Sequence, residues 1–210
     1  RDVSIAFANE LSMICDKLDI NVWELITLAN RHPRVNILQP GPGVGGHCIA
    51  VDPWFIVSKT PEQAQLIHTA RKVNDSKPDW VVNKVKQAIG EYLVANPSKT
   101  AKDISIACFG LVFKPDIDDL RESPALNITQ LISKFHPGRL LAVEPNIDEL
   151  PDSLIDAVEL INIDEALSTA NIILMLVDHK EFIGLKFDND KTAIDTKGIL
   201  LPQSTKPIHN

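Results

Sequence analysis

The apolar residues of this chain change their period near residue 98, and that change decides what the chain can fold into. Before it, Val3, Phe7, Leu11, Ile14 and Leu18 recur at spacings of three and four, the stripe of an amphipathic helix, with Cys15 beside it as a core residue. Asn21, with Glu24 three places on, is the N-cap of a short helix through about Asn30. Thr60-Pro61-Glu62-Gln63 predicts a further helix start, with Ala64, Ile67, Ala70 and Val73 on its buried face. Pro78 begins or kinks the next helix, whose stripe is Val81, Val85, Ile89 and Tyr92. The polar stretch Asn96–Thr100 is a linker.

Beyond the linker, short apolar runs at 104–109, 140–143, 158–161, 172–177 and 192–195 predict strands. Between them, Ser123-Pro124 opens a helix through about Phe135, and Asp164 caps another through Ala170. Strands alternating with helices predict an α/β fold, a doubly wound parallel sheet. The chain therefore divides into a mainly helical segment, 1–98, and an α/β domain, 99–210.

Chemistry concentrates in the one stretch of the first half that cannot be a helix or a regular strand. Gly41-Pro42-Gly43-Val44-Gly45-Gly46-His47-Cys48 runs on to Asp52-Pro53. Its glycines allow positive φ and let the backbone come close to a ligand, with successive N–H groups available to an anion. Directly behind them stands Cys48, the best nucleophile a side chain offers near neutral pH when its surroundings favour the thiolate. Gly41, Gly43 and Gly46 also spell G-x-G-x-x-G. That dinucleotide fingerprint needs a strand before it and a helix opening inside it, whereas Pro40, Pro42 and Pro53 interrupt this one. The stretch is a catalytic or substrate loop.

A second site lies between the first strand and its helix, at Phe113–Ser123. In an open α/β sheet, ligands bind where strand C-ends meet helix N-termini, which favour phosphate. Lys114 and Arg121 either add positive charge there or pair with Asp116, Asp118 and Asp119 as a solvated loop. Glu144 ends the second strand where a ribose-binding acid sits, or forms a turn with Pro145.

Composition narrows the function. A net charge of −7 argues against nucleic acid as a partner. No run approaches the roughly 20 apolar residues of a membrane span. Three cysteines without a C-x-x-C pair give no disulfide framework or zinc ribbon, which points to a reducing, cytoplasmic setting. The start at Arg1-Asp2, without Met and already in a helical pattern, reads as a fragment of a longer protein or a processed one.

The two loops together resemble the UDP-glucose/UDP-N-acetylmannosamine dehydrogenase family. The resemblance rests on Gly43–Cys48 with Asp52-Pro53, then Gly110–Lys114 with Asp118–Pro124, in this order over essentially the whole chain. Arg31–Asn36 and His47–Phe55 resemble the UDP-N-acetyl-D-mannosamine branch. The resemblance implies two consecutive parts of a three-part enzyme: the central helical segment that forms a homodimer, and the domain that binds the UDP-sugar. The N-terminal domain that binds most of the NAD would be absent, and this piece alone is expected to turn nothing over. It implies Cys48 as the nucleophile and Asp52 as the carboxylate that positions or activates water. Arg34 (reaching into the partner subunit's site), Asn36, Gly43, Gly45, Phe113, Lys114 and Lys197 would bind substrate, and Arg121 the NAD phosphates. His47 stands where relatives carry other residues and is given no proton-transfer role. No metal is implied. The rivals are a dehydrogenase of UDP-glucose or another UDP-N-acetylhexosamine, a cysteine hydrolase or acyltransferase built on Cys48, and a non-catalytic nucleotide-sugar-binding and dimerisation module.

Overall fold

In a computed structural model, which describes residues 1–188 and 190–200, the chain runs from paired helices into a parallel sheet. The helices of the first part are α1 (Asp2–Lys17), α2 (Val22–Ala29), α3 (Asp52–Lys59) and α4 (Gln65–Ala95). The second part contains β1 (Ile106–Phe109), α5 (Pro124–Ser133), β2 (Leu140–Val143), β3 (Glu159–Leu160), α6 (Ile163–Thr169), β4 (Ile172–Met175) and β5 (Thr192–Asp195). All strand pairs are parallel, in the order β3-β2-β1-β4-β5, so the winding reverses between β1 and β4. This is the doubly wound α/β sheet that the alternating pattern predicts.

The strands read as continuous apolar runs because both faces are covered. Ile106, Cys108, Leu140, Ala142, Ile172 and Leu174 face one core with Ile128 and Ile132 of α5 and Val81, Val82, Val85 and Ala88 of α4. Ala107, Phe109, Leu141, Val143, Ile173 and Met175 face the other with Ala166 of α6 and Phe182. The helix α4 thus begins in the helical part and packs Val81–Ala88 into the core of the sheet. The change of pattern at residue 98 lies downstream of where that core begins.

Several local expectations change. Thr60 does not cap the long helix: it is the C-cap of α3, and its carbonyl accepts the Gln63 and Ala64 amides before α4 opens at Gln65. Pro78 neither starts nor ends a helix but lies buried within α4. The cap of α6 is Asn162, whose side chain accepts the Glu165 amide, rather than Asp164. Asn21 and Ser123 cap α2 and α5 as predicted.

The largest difference concerns α1. Its Val3–Leu18 stripe predicts the buried face, yet Phe7, Ile14 and Leu18 are exposed. The helix packs on α4 through small and polar residues instead: Asp2, Ala6, Asn9, Ser12 and Cys15. Polar groups can form an inner face when they find partners there, and each of these polar side chains makes at least one such bond. Asn9 bonds Asn74, Asp2 bonds Arg71 and Asn74, and Ser12 bonds Lys77.

Candidate functional site

The Gly41–Cys48 segment has no regular structure and is fixed by hydrogen bonds at its start, middle and end. The Gly41 amide donates to Asn9 Oδ1 at 2.9 Å. The Gly46 amide donates to the Arg121 carbonyl at 3.1 Å. The carbonyl of Cys48 accepts the Asp52 amide at 2.8 Å, joining the thiol-bearing turn to the first turn of α3. Asp52-Pro53 opens that helix, where proline is tolerated because the first N–H groups have no helical partner. The prolines do exclude a dinucleotide fingerprint here, but Pro53 starts a helix rather than preventing one.

Glycine is required where this loop meets the β1–α5 loop. A Cβ on Gly45 would lie 2.5 Å from the Glu122 carbonyl oxygen and 2.7 Å from Phe113 Cβ. Gly46 has φ +84°, and a Cβ there would lie 2.8 Å from the Phe113 ring. Gly43 approaches Pro124 in the same way. The two sequence motifs are therefore one structural unit, with Gly43, Gly45 and Phe113 at its seam.

Cys48 is exposed, whereas Cys15 and Cys108 are buried. Burial pushes the Cys108 thiol up to about 12, so it is a core residue. The Cys48 sulfur lies 3.9 Å from His47 Nδ1, a contact to which the sequence reading gave no role. Arg121 faces the same region. Its hydrogen bonds to Asp119 raise its affinity for a proton. Asp119 is held correspondingly low by those bonds. The Arg121 Nε and Nη2 groups are occupied by Asp119, while Nη1 has no hydrogen-bond partner among the described residues.

The remaining candidates separate into two sets. Lys197, on the turn after β5, reaches the start of the glycine loop: its Nζ is 3.7 Å from where a Gly41 Cβ would be, and 3.0 Å from Asp178 Oδ1. Lys114 is exposed on the turn that follows Phe113. Asp52 is exposed one helical turn from Cys48. Arg34 and Asn36 stand apart, exposed on a loop whose base is closed by paired hydrogen bonds between Asn30 and Ile37. Neither side chain bonds the glycine loop among the described residues.

Glu144 is a buried structural anchor rather than a free ribose acceptor. Its carboxylate accepts the Leu111 and Val112 amides, the Asn146 amide and side chain, and His179 Nε2. Burial pushes its proton affinity up, but these hydrogen bonds outweigh burial and leave the carboxyl below its ordinary value of 4.5. The other nitrogen of His179 accepts the Asp116 amide at 3.0 Å, which fixes the turn beside Lys114. Asp116, His179 and Glu181 lie within metal-binding reach of one another. His179 Nδ1, however, already receives the Asp116 and Asn146 N–H groups, so it has no lone pair for an ion.

Comparison with known proteins decides the relationship. Residues 1–76 match the central domain of the UDP-glucose/GDP-mannose dehydrogenase family, and residues 107–202 match the same family's UDP binding domain. The chain belongs to the UDP-glucose/GDP-mannose dehydrogenase family. The UDP-N-acetyl-D-mannosamine dehydrogenase of Yersinia pestis is 62% identical over 201 residues, 95% of this chain and 48% of the relative. The NDP-N-acetyl-D-galactosaminuronic acid dehydrogenase of Ralstonia solanacearum is 58% identical over 95% of this chain and 45% of the relative. Among solved structures, the UDP-N-acetyl-mannosamine dehydrogenase Cap5O from S. aureus superposes with a TM-score of 0.76 at 44% identity, covering 95% of this chain and 45% of that one. The chain spans about half the length of the curated relatives it matches. The glycine loop falls in the dehydrogenase family's central-domain match, and the Phe113–Arg121 loop in its UDP-binding match. No helix of the described residues is long and apolar enough to cross a membrane.

Proposed function

We propose that the chain is the thiol-bearing and UDP-sugar-binding part of an NAD-dependent UDP-N-acetyl-D-mannosamine 6-dehydrogenase. The observation that carries this reading is the exposed Cys48 thiol on a glycine loop seated against Phe113 and Arg121 of the UDP-binding domain. An aldehyde at the sugar C6 is held by Cys48: the sulfur adds to the carbonyl carbon, the thiol proton passes to the oxygen, and a thiohemiacetal results. Loss of a hydride from that carbon and a proton from its hydroxyl leaves a thioester. Water, oriented by Asp52, then cleaves the C–S bond, giving the uronate and restoring the thiol. One NAD, when bound, would supply the acceptor for the hydride lost as the C6 alcohol becomes that aldehyde, and a second NAD the acceptor for the hydride lost from the thiohemiacetal. Arg121 Nη1, with no partner among the described residues, fits a contact with the NAD phosphates. Lys114 and Lys197 are the cations for the UDP diphosphate, Phe113, Gly43 and Gly45 shape the floor, and Arg34 and Asn36 act on the partner subunit's site.

The exposed Phe7, Ile14 and Leu18 of α1, with Leu28 of α2, support a homodimer through the central helices. Calorimetric titration of the chain with UDP-N-acetylmannosamine, UDP and NAD tests the reading. Binding of both UDP compounds without NAD is the expected result. Binding of NAD without either UDP compound contradicts it.

A further inference from the structure

The loop that carries Cys48, seated in front against Phe113 and Pro124, is held from behind by buried polar side chains. Asp2, Asn9, Arg71 and Asn74 are almost fully buried between α1 and α4. They form one continuous run of hydrogen bonds. The Gly41 amide donates to Asn9 Oδ1, and Asn9 Nδ2 donates to Asn74 Oδ1 at 2.9 Å. Asn74 Nδ2 donates to Asp2 Oδ1 at 2.8 Å, and Arg71 Nη1 donates to that same oxygen at 2.7 Å. Arg71 Nη1 also donates to the Ile49 carbonyl at 3.3 Å, one residue beyond Cys48. Arg71 Nη2 pairs with Asp75.

From this geometry we propose that Arg71 and Asn74 are positioning residues for the Cys48 thiol, holding both ends of the glycine loop in register through Asp2 and Asn9. Three features support it. The run begins at the first residue of the loop and ends at the residue after the thiol, so either end moves only if the network breaks. Glycine-rich backbone has the most freedom to lose, so a loop of this composition needs external fixing to present a side chain in one place. The network is also imperfectly satisfied as a folding element: Asp2 Oδ2 and Arg71 Nε are buried without a partner among the described residues. A buried ion pair with unmet groups is weak support for folding, while an apolar α1–α4 contact would serve the fold alone. Because α4 continues into the core of the sheet, the helix that fixes the thiol loop is also the one on which the UDP-binding domain is packed. The consequence for turnover rests on Cys48 being the reacting thiol, as proposed above; the positioning itself does not.

Hydrogen exchange on the 210-residue chain tests it, comparing the parent with Arg71→Met, Arg71→Lys and Asn9→Ala. In Arg71→Met, the amides of Gly46, Val51 and Asp52 exchange about tenfold faster or more, while those of β1, β2 and β4 keep their protection. Arg71→Lys, which retains a donor for Asp2 and Ile49, restores most of the slow exchange. Asn9→Ala frees the Gly41 amide and the Asn74 Oδ1, leaves the bonds among Asp2, Arg71, Asn74 and Ile49 in place, and carries the test if Arg71→Met does not fold. Unchanged exchange across residues 41–52 in a folded variant overturns the proposal. So does faster exchange spread evenly through the sheet, since that identifies a general packing role. Neither result depends on substrate, so failure here is distinguishable from failure of the dehydrogenase reading.

Discussion

The backbone amide of Gly46 donates to the carbonyl of Arg121 at 3.1 Å, fastening the glycine loop of the central segment directly to the β1–α5 loop of the UDP-binding domain. The contact exists because Gly45 and Gly46 have no side chains: the Phe113 ring and the Glu122 carbonyl occupy the space a Cβ would need.

Gly45→Ala should therefore part the two loops. The obstruction is partly backbone, the Glu122 oxygen at 2.5 Å, and cannot be relieved by a rotamer change. A loss of about 1–3 kcal/mol is expected from such overpacking. Gly90→Ala is the control: it lies in α4 with nothing within 4 Å and should gain about 0.5–1 kcal/mol. Urea unfolding of both variants measures the difference.

Glu144 makes stability depend on acid. Its folded-state proton affinity is below the ordinary value of 4.5, so its contribution is present above that pH and is lost as pH falls through the lower folded value. Glu144→Gln should cost about 1–3 kcal/mol at pH 7, because it disturbs the bonds to His179 and to the Leu111 amide. The gap between parent and variant should narrow below pH 4.5, read from denaturant midpoints at each pH.

Lys77 costs stability instead of adding it, and that cost also lessens as pH rises. Burial pushes its amine from 10.5 to about 7, although it bonds Ser12 at 2.5 Å and lies 3.7 Å from the centre of the Trp80 ring. Between pH 7 and 10.5 the unfolded chain keeps a proton that the folded chain releases, so stability rises with pH. Below pH 7 both states are charged and the cost of burial is complete. Lys77→Met should stabilise the protein most below pH 7. That advantage should fall by up to about 1.4 kcal/mol per pH unit above it, measured as the difference between the two unfolding curves.

The apolar face of α1 should be an interface between copies of this chain. Phe7→Glu combined with Ile14→Glu places charge at two of its exposed positions without touching the face that packs on α4. Sedimentation should show a dimer for the parent and a monomer for the double variant, each with the same far-ultraviolet helical signal.

Much of the sheet was readable because its strands are covered on both sides and appear as uninterrupted apolar runs. Ile172–Met175 is the clearest case. The α1 stripe misled because an apolar stripe is not always the face a helix buries within its own chain: Phe7, Ile14 and Leu18 are exposed. The inner α1–α4 contact is made by Asn9, Ser12, Arg71, Asn74 and Lys77, residue types that ordinarily signal solvent. Their signal is positional, since Arg71, Asn74 and Lys77 repeat every three residues on one face of α4. The short α3 was hidden behind Pro53, read as an interruption although proline suits a first helical turn. Cys48, Phe113 and Arg121 were legible as motif members, but their union across the two loops depends on glycine contacts that only coordinates show.

In the proposed site a UDP-sugar lies with its C6 beside Cys48. The most direct measurement is the rate of Cys48 alkylation by iodoacetamide in the native chain, where Cys15 and Cys108 are buried, with and without saturating UDP-N-acetylmannosamine. The UDP-sugar should slow alkylation about tenfold or more, UDP alone should protect less, and Lys114→Ala should remove the protection. A Cys48 rate unchanged by saturating UDP-sugar would rule out this placement.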